Sequence, residues 1–154
     1  MSYKRLIPCI FIAEGKAVRW FDDHTVIAED AIELAKQYSD NGADELIVFD
    51  LSVYANDHDE AIDIMKRMNR VIRIPMVAGG NIKRQEDIKK ILYAGSKRAI
   101  LNFSRQDNVA LIEDAVKRFG KEKLAVSLND FDALFKHQHV IQKCCRFVSN
   151  ICCP

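Results

Sequence analysis

Hydrophobic positions along the chain fall into two alternating patterns. Short apolar runs at residues 6–12 (LIPCIFI), 45–50 (ELIVFD), 73–78 (RIPMVA), 98–102 (RAILN) and 123–128 (KLAVSL) predict buried strands. Between them, apolar residues recur at helical spacing. Residues 29–41 carry Ala31, Ile32, Leu34, Ala35 and Tyr38 and stop at Gly42; residues 59–71 carry Ile62, Ile64, Met65 and Met68. Helices are also predicted over 85–94, closed by Gly95, over 108–119, closed by Gly120, and over 131–143. Short strands alternating with longer helices define βαβ units and a parallel sheet, and a sheet covered on both faces explains strands that are nearly all apolar. GADEL before the second run and AGSKRA before the fourth occupy equivalent places, which suggests an internal βα repeat.

The count of units limits the architecture. A closed (β/α) barrel takes eight units and about 250 residues, whereas this chain of 154 residues offers four units and the start of a fifth. Three arrangements fit: an open doubly wound sheet, a half-barrel that pairs with another copy, or part of something longer. Residues 1–143 read as one domain, and residues 144–154 as a cysteine-rich tail.

Composition removes some function classes. With 23 Lys+Arg against 22 Asp+Glu, the net charge of +1 gives no electrostatic case for nucleic acid or an anionic membrane. No apolar run approaches the roughly 20 residues of a membrane span. Residues 1–12 are basic and then apolar, but Pro8 interrupts the run and no small-residue cleavage site follows, so they are not read as a signal peptide. Five cysteines then suggest reduced thiols in a cytoplasm.

In parallel α/β folds, ligands bind at the carboxyl ends of the strands. The most informative such end is Ala78-Gly79-Gly80-Asn81-Ile82. Paired glycines let the backbone approach a ligand, and the helix that follows presents free N–H groups and partial positive charge to a phosphate. The same pair also marks an ordinary tight turn. It is neither a dinucleotide fingerprint nor a P-loop, and no motif asks for a cofactor. Asn102 and Ser104 follow the next strand and can donate to the same phosphate, although Asn and Ser favour turns in any case. Asp50 closes an apolar strand, so its carboxylate either serves a site or pairs with a nearby Lys or Arg. Arg19, after Glu14-Gly15, is either an anion clamp or a surface charge.

Several segments carry a family resemblance. Lys4-Arg5-Leu6-Ile7-Pro8-Cys9 with Glu14-Gly15-Lys16-Ala17-Val18-Arg19, Gly42-Ala43-Asp44-Glu45-Leu46 with Phe49-Asp50, Ile74 to Ile82, and Ala94-Gly95-Ser96-Lys97-Arg98 with Leu101-Asn102 resemble the histidine-biosynthesis barrels over residues 3 to 130. The wording favours the cyclase subunit of imidazole glycerol phosphate synthase over its sister ribotide isomerase. It is also similar to the cyclase-like region preceding the cyclohydrolase and pyrophosphohydrolase domains of some bacterial fusions. The resemblance implies the amino-terminal half, about four to five βα units, of a ribulose-phosphate-binding TIM-type (β/α) barrel. It implies a phosphorylated ribotide ligand, a glutaminase partner that supplies ammonia, and either a second copy or a C-terminal half to complete the barrel.

The resemblance also implies two aspartates acting as general acid and base at the ends of the first and fifth strands. Here those positions hold Phe11 and Asn129, neither of which replaces a carboxylate, so impaired catalysis is expected. Asp130 stands one residue further on and enters the site only with a register shift. In the tail, Cys144-Cys145 and Cys152-Cys153 lie near His137 and His139, but adjacent pairs at this spacing do not match a usual zinc site, and no metal is expected.

Overall fold

A computed structural model describes residues 3–102, 108–128 and 151–152. The predicted helix over 131–143, with Asn129, Asp130 and the tail side chains, lies outside these residues, as does Ser104. Strand β1 (Cys9–Ala13) turns back through a short hairpin, β2 (Lys16–Val18) and β3 (Val26–Ala28). The remainder alternates: α1 (Ala31–Asp40), β4 (Leu46–Asp50), α2 (Ala55–Val71), β5 (Met76–Gly79), α3 (Gln85–Tyr93), β6 (Ala99–Asn102) and α4 (Asn108–Phe119). A single 3-10 turn (Lys121–Lys123) then leads to β7 (Leu124–Ser127), and β8 (Ile151–Cys152) comes from the segment read as a tail.

The sheet order is β3-β2-β1-β4-β5-β6-β7-β8, with every neighbour parallel from β1 onward. This order settles the choice of architecture. Successive strands are added on one side without reversal, whereas a doubly wound sheet reverses at a switch point. Packing agrees. Ile10 and Ile12 of β1, Leu46 and Val48 of β4, Met76 of β5, Leu101 of β6 and Leu124 of β7 face one buried layer. Residues from all four helices fill that same layer, among them Ala35, Met65, Ile88 and Ile112. Alternate residues, Phe11, Phe49, Val77, Ile100 and Ala125, form a second cluster on the opposite face. With side chains alternating between faces, all helices lie outside and the second cluster faces inward. The chain is thus a partial (β/α) barrel, and its sheet is not closed among the described residues. No helix among them is long and apolar enough to cross a membrane.

Two strand starts fall later than the apolar runs suggest, for one reason. Pro8 and Pro75 lack an N–H, so regular strand begins at Cys9 and Met76, while the proline carbonyls accept from Ile47 and Leu46 at 3.0 and 2.9 Å. Leu6 and Ile7 are consequently exposed rather than buried in strand. Leu6 is instead tied down by Asp44, whose Oδ2 accepts its N–H at 2.7 Å while Oδ1 accepts the Tyr3 hydroxyl at 2.9 Å. These bonds, the Leu6 amide first, hold the Asp44 carboxyl below its ordinary value. At the same end of the sheet, Glu45 accepts from Arg5 at 2.7 Å and lies 3.6 Å from Arg98.

The hairpin is absent from the sequence reading. Ala13 pairs with Lys16, leaving the two-residue turn Glu14-Gly15 with φ of 49° and 75°. Positive φ at both central residues suits the tight turn that the twist of paired strands favours. Helix α1 begins at Asp30, whose side chain accepts the N–H groups of Ile32 and Glu33 at 2.9 and 3.1 Å.

Candidate functional site at the carboxyl ends of the strands

The carboxyl ends of β4 to β7 open onto a cavity of about 410 Å³. Asp50, Gly80, Asn81, Asn102 and Ser127 supply its polar lining, each at or just beyond a strand end, and Phe21, Phe49, Val53 and Ile100 supply apolar walls. The structure therefore brings together four of the residues picked from the sequence: Asp50, Gly80, Asn81 and Asn102. Gly79 lies in β5 directly beneath them.

The glycine corner is built by close backbone approach. Gly80 has φ +95°, and a Cβ there would overlap the backbone of Asp50. Only glycine meets both demands without strain. Asn81 is also left-handed, at φ 55°, a conformation that Asn tolerates better than most residues. Its side-chain amide fixes the turn, donating to the Ser52 carbonyl at 2.6 Å, the Ser52 hydroxyl at 2.9 Å and Asp50 Oδ2 at 3.1 Å. The loops after β4 and β5 are thereby stapled together. Just ahead of α3, Asp87 Oδ2 accepts from Lys83 N and Arg84 N at 3.0 and 2.9 Å, which fixes the entry into the helix.

Among the described residues Asp50 pairs with neither Lys nor Arg. Its Oδ1 accepts the Ser52 N–H at 2.8 Å, and its Oδ2 lies 2.5 Å from His58 Nδ1. Asp50's side chain is fully buried and that of His58 is 12% exposed, and among the described residues Nε2 of the imidazole has no hydrogen-bond partner. Sequence reasoning missed His58 because α2 starts at Ala55, four residues before the predicted helix start at 59; the first turn, Ala55 to His58, holds little apolar surface.

Arg19 is not at the cavity. It lies at the hairpin, where its side chain pairs with Asp23 at 3.4 Å and its N–H donates to the Thr25 carbonyl at 3.0 Å. Asp23 also accepts the Thr25 hydroxyl at 2.6 Å and amide at 3.1 Å, which hold its carboxyl below the ordinary value. This pinned tip carries Phe21 and His24 into the cavity wall, a placement that no local sequence signal marks.

Phe11 stands in an aromatic cluster. It is 3% exposed, with ring centroids 4.7 Å from Phe21, 5.2 Å from Trp20 and 5.8 Å from Phe49. Phe21 in turn packs on Phe49 at 5.3 Å. The hairpin thus folds two rings over the inner face of the sheet, in the quarter where the resemblance would place an acid.

A partial barrel with its polar cavity at the strand ends has a clear counterpart among known proteins. The family model described as histidine biosynthesis protein matches residues 5–148, and the chain belongs to that family. Among curated relatives it is similar to the imidazole glycerol phosphate synthase subunit HisF of Exiguobacterium sibiricum (35% identical, covering 84% of this chain and 52% of the relative). It is likewise similar to those of Methanococcus vannielii (37%, 84% and 48%) and Methanocaldococcus jannaschii (36%, 84% and 48%). The chain spans about half the length of these relatives.

Proposed function

We propose that this chain binds a phosphorylated ribotide at the strand-end cavity and is catalytically impaired as a ring-closing enzyme. A phosphate would be received by the Gly79-Gly80-Asn81 loop, with Asn102 and Ser104 as further donors. One observation carries the reading: the cavity keeps a glycine-built polar corner, while Phe11, at the first acid position, is buried among three aromatic rings. A binding corner without an acid opposite it suits recognition rather than proton transfer.

The test is calorimetric titration of the reduced protein with bisphosphorylated aminoimidazole carboxamide ribotide. Asn102→Asp, which sets a negative charge at the exposed end of β6, serves as the comparison. Micromolar binding that weakens at least tenfold in the variant supports the reading. No heat from folded protein overturns it and turns attention to a protein-binding role. Ring closure with ammonia above background, lost in Asp130→Asn, overturns the impairment.

A second reading, an active half completed by association, is favoured by the open sheet and by coverage of about half of each relative. It requires a second copy or a separate C-terminal half, with a glutaminase as ammonia source. Light scattering that gives a strict monomer, with no gain on adding a glutaminase, counts against it.

A further inference from the structure

We infer that His58 is the positioning residue that supplies the counter-charge to Asp50, so that an anion binds this cavity together with a proton. The inference rests on the phosphate reading of the same corner and adds its electrostatic mechanism. Asp50 is fully buried and held by Ser52 N–H, the Asn81 amide and His58 Nδ1. Of these three donors, His58 alone can carry positive charge. A tetrahedral dianion on the Gly80-Asn81 loop would stand beside that carboxylate, in a site where burial strengthens like-charge repulsion. A protonated imidazole 2.5 Å from Oδ2 neutralises the carboxylate.

Among the described residues Nε2 of the ring has no hydrogen-bond partner, so the contact with Asp50 through Nδ1 is the one polar bond that the ring makes there. Asp59, beside it on α2, pairs with Lys90 of α3 at 2.8 Å, and Glu60 points to the Gly15 turn. His24, on the hairpin side of the cavity, contacts the Phe21 carbonyl at 3.2 Å and is the competing imidazole.

The probe is inorganic sulfate, a tetrahedral dianion that does not titrate near neutrality, so any proton taken up belongs to the protein. Calorimetry on the full chain, in buffers of different ionisation heat between about pH 5 and 8, should show uptake approaching one proton. Affinity should fall by up to about tenfold per pH unit in the upper part of that range. His24→Gln, at the cavity wall, separates the two imidazoles: proton uptake should persist in it, whatever the change in affinity. His58→Gln keeps a donor but no charge, and should bind at least about tenfold more weakly at pH 6 and without proton uptake. Adding Asp50→Asn to it removes the repulsion and should restore most of the affinity; a merely structural role would leave the double variant no better than the single. Sulfate binding without proton uptake, uptake lost in His24→Gln, or no recovery in the double variant overturns the inference and leaves the phosphate reading intact. No sulfate binding at any pH in wild type overturns both. Should His58→Gln not fold, wild type against His24→Gln still decides the matter.

Discussion

Phe11→Ala tests whether the hairpin is a packed part of the fold or a loose flap. Truncating a buried Phe costs about 3–5 kcal/mol through lost burial and the cavity left behind. Phe11 is 3% exposed, which places it in that class. Two of its three ring partners, however, sit on the hairpin and are themselves 44% (Trp20) and 37% (Phe21) exposed. A short hairpin can settle inward and refill part of the space, so the low end is expected, about 3 kcal/mol. A cycle with Phe21→Ala should give a coupling of about 0.5–1.5 kcal/mol for the edge-on pair at 4.7 Å. Urea unfolding supplies the free energies. Trp20, the single tryptophan of the chain, supplies an independent signal through its emission, which should shift as its neighbour is lost. A loss below about 1 kcal/mol with unchanged Trp20 emission would mean that the hairpin does not pack as described, and the account of the inner face would fail.

Gly80→Ala should destabilise by about 2 kcal/mol or more, because φ +95° and the overlap with Asp50 act together; urea midpoints check this, and a neutral result refutes the close approach. Glu45→Gln should cost about 2–3 kcal/mol, since it removes the anion that faces the largely buried Arg98, whereas Arg5→Ala, at a half-exposed partner, should cost less than about 1 kcal/mol. The Asp44 tether should loosen in acid. Its carboxyl is depressed in the folded state, so its contribution is fully present above the unfolded carboxylate value and is lost as pH falls through the lower native value. Amide exchange at Leu6 should accelerate over that acidic window, and Asp44→Asn should remove the pH dependence.

Much of the scaffold was legible because one signal was repeated five times. Apolar runs bounded by glycine-stopped helices report burial directly, and burial dictates strands and helices here. What the runs could not report was which face each helix covers. That depends on strand order, and only the sequential order separates a barrel from a doubly wound sheet. The hairpin escaped because Lys16–Val18 and Val26–Ala28 are too short for a period to register, and the WFDDHT segment between them has the composition of a loop. At the site, Gly80 and Asn81 were legible from the backbone conformations they permit. His58 was not, since nothing local links residue 58 to residue 50; one helical turn ahead of the apolar stripe brings them together.

The chemistry of the cavity narrows further when its one carboxylate is considered. Among the described residues lining it, Asp50 alone carries a carboxyl group. An ionised carboxylate offers about four lone-pair positions, and here three donors already use it, with Oδ2 shared between His58 and Asn81. To act as a general base, Asp50 would have to release a donor. Releasing Asn81 would free the left-handed residue that ties the two loops together, and releasing His58 would leave a buried charge unpaired. Either change dismantles the corner that would hold the ligand. Asp50 therefore serves geometry better than proton transfer, and catalysis would need an acid from elsewhere. On the inner face that place is filled by Phe11, Phe21 and Phe49, where a carboxylate would be desolvated and driven towards its neutral form. On the proposed reading, replacing Phe11 by Asp alone should therefore not give turnover: the aromatic lid must be opened as well and the second acid position filled, so Phe11→Asp with Phe21→Ala and Asn129→Asp is the smallest alteration from which ring closure could be expected.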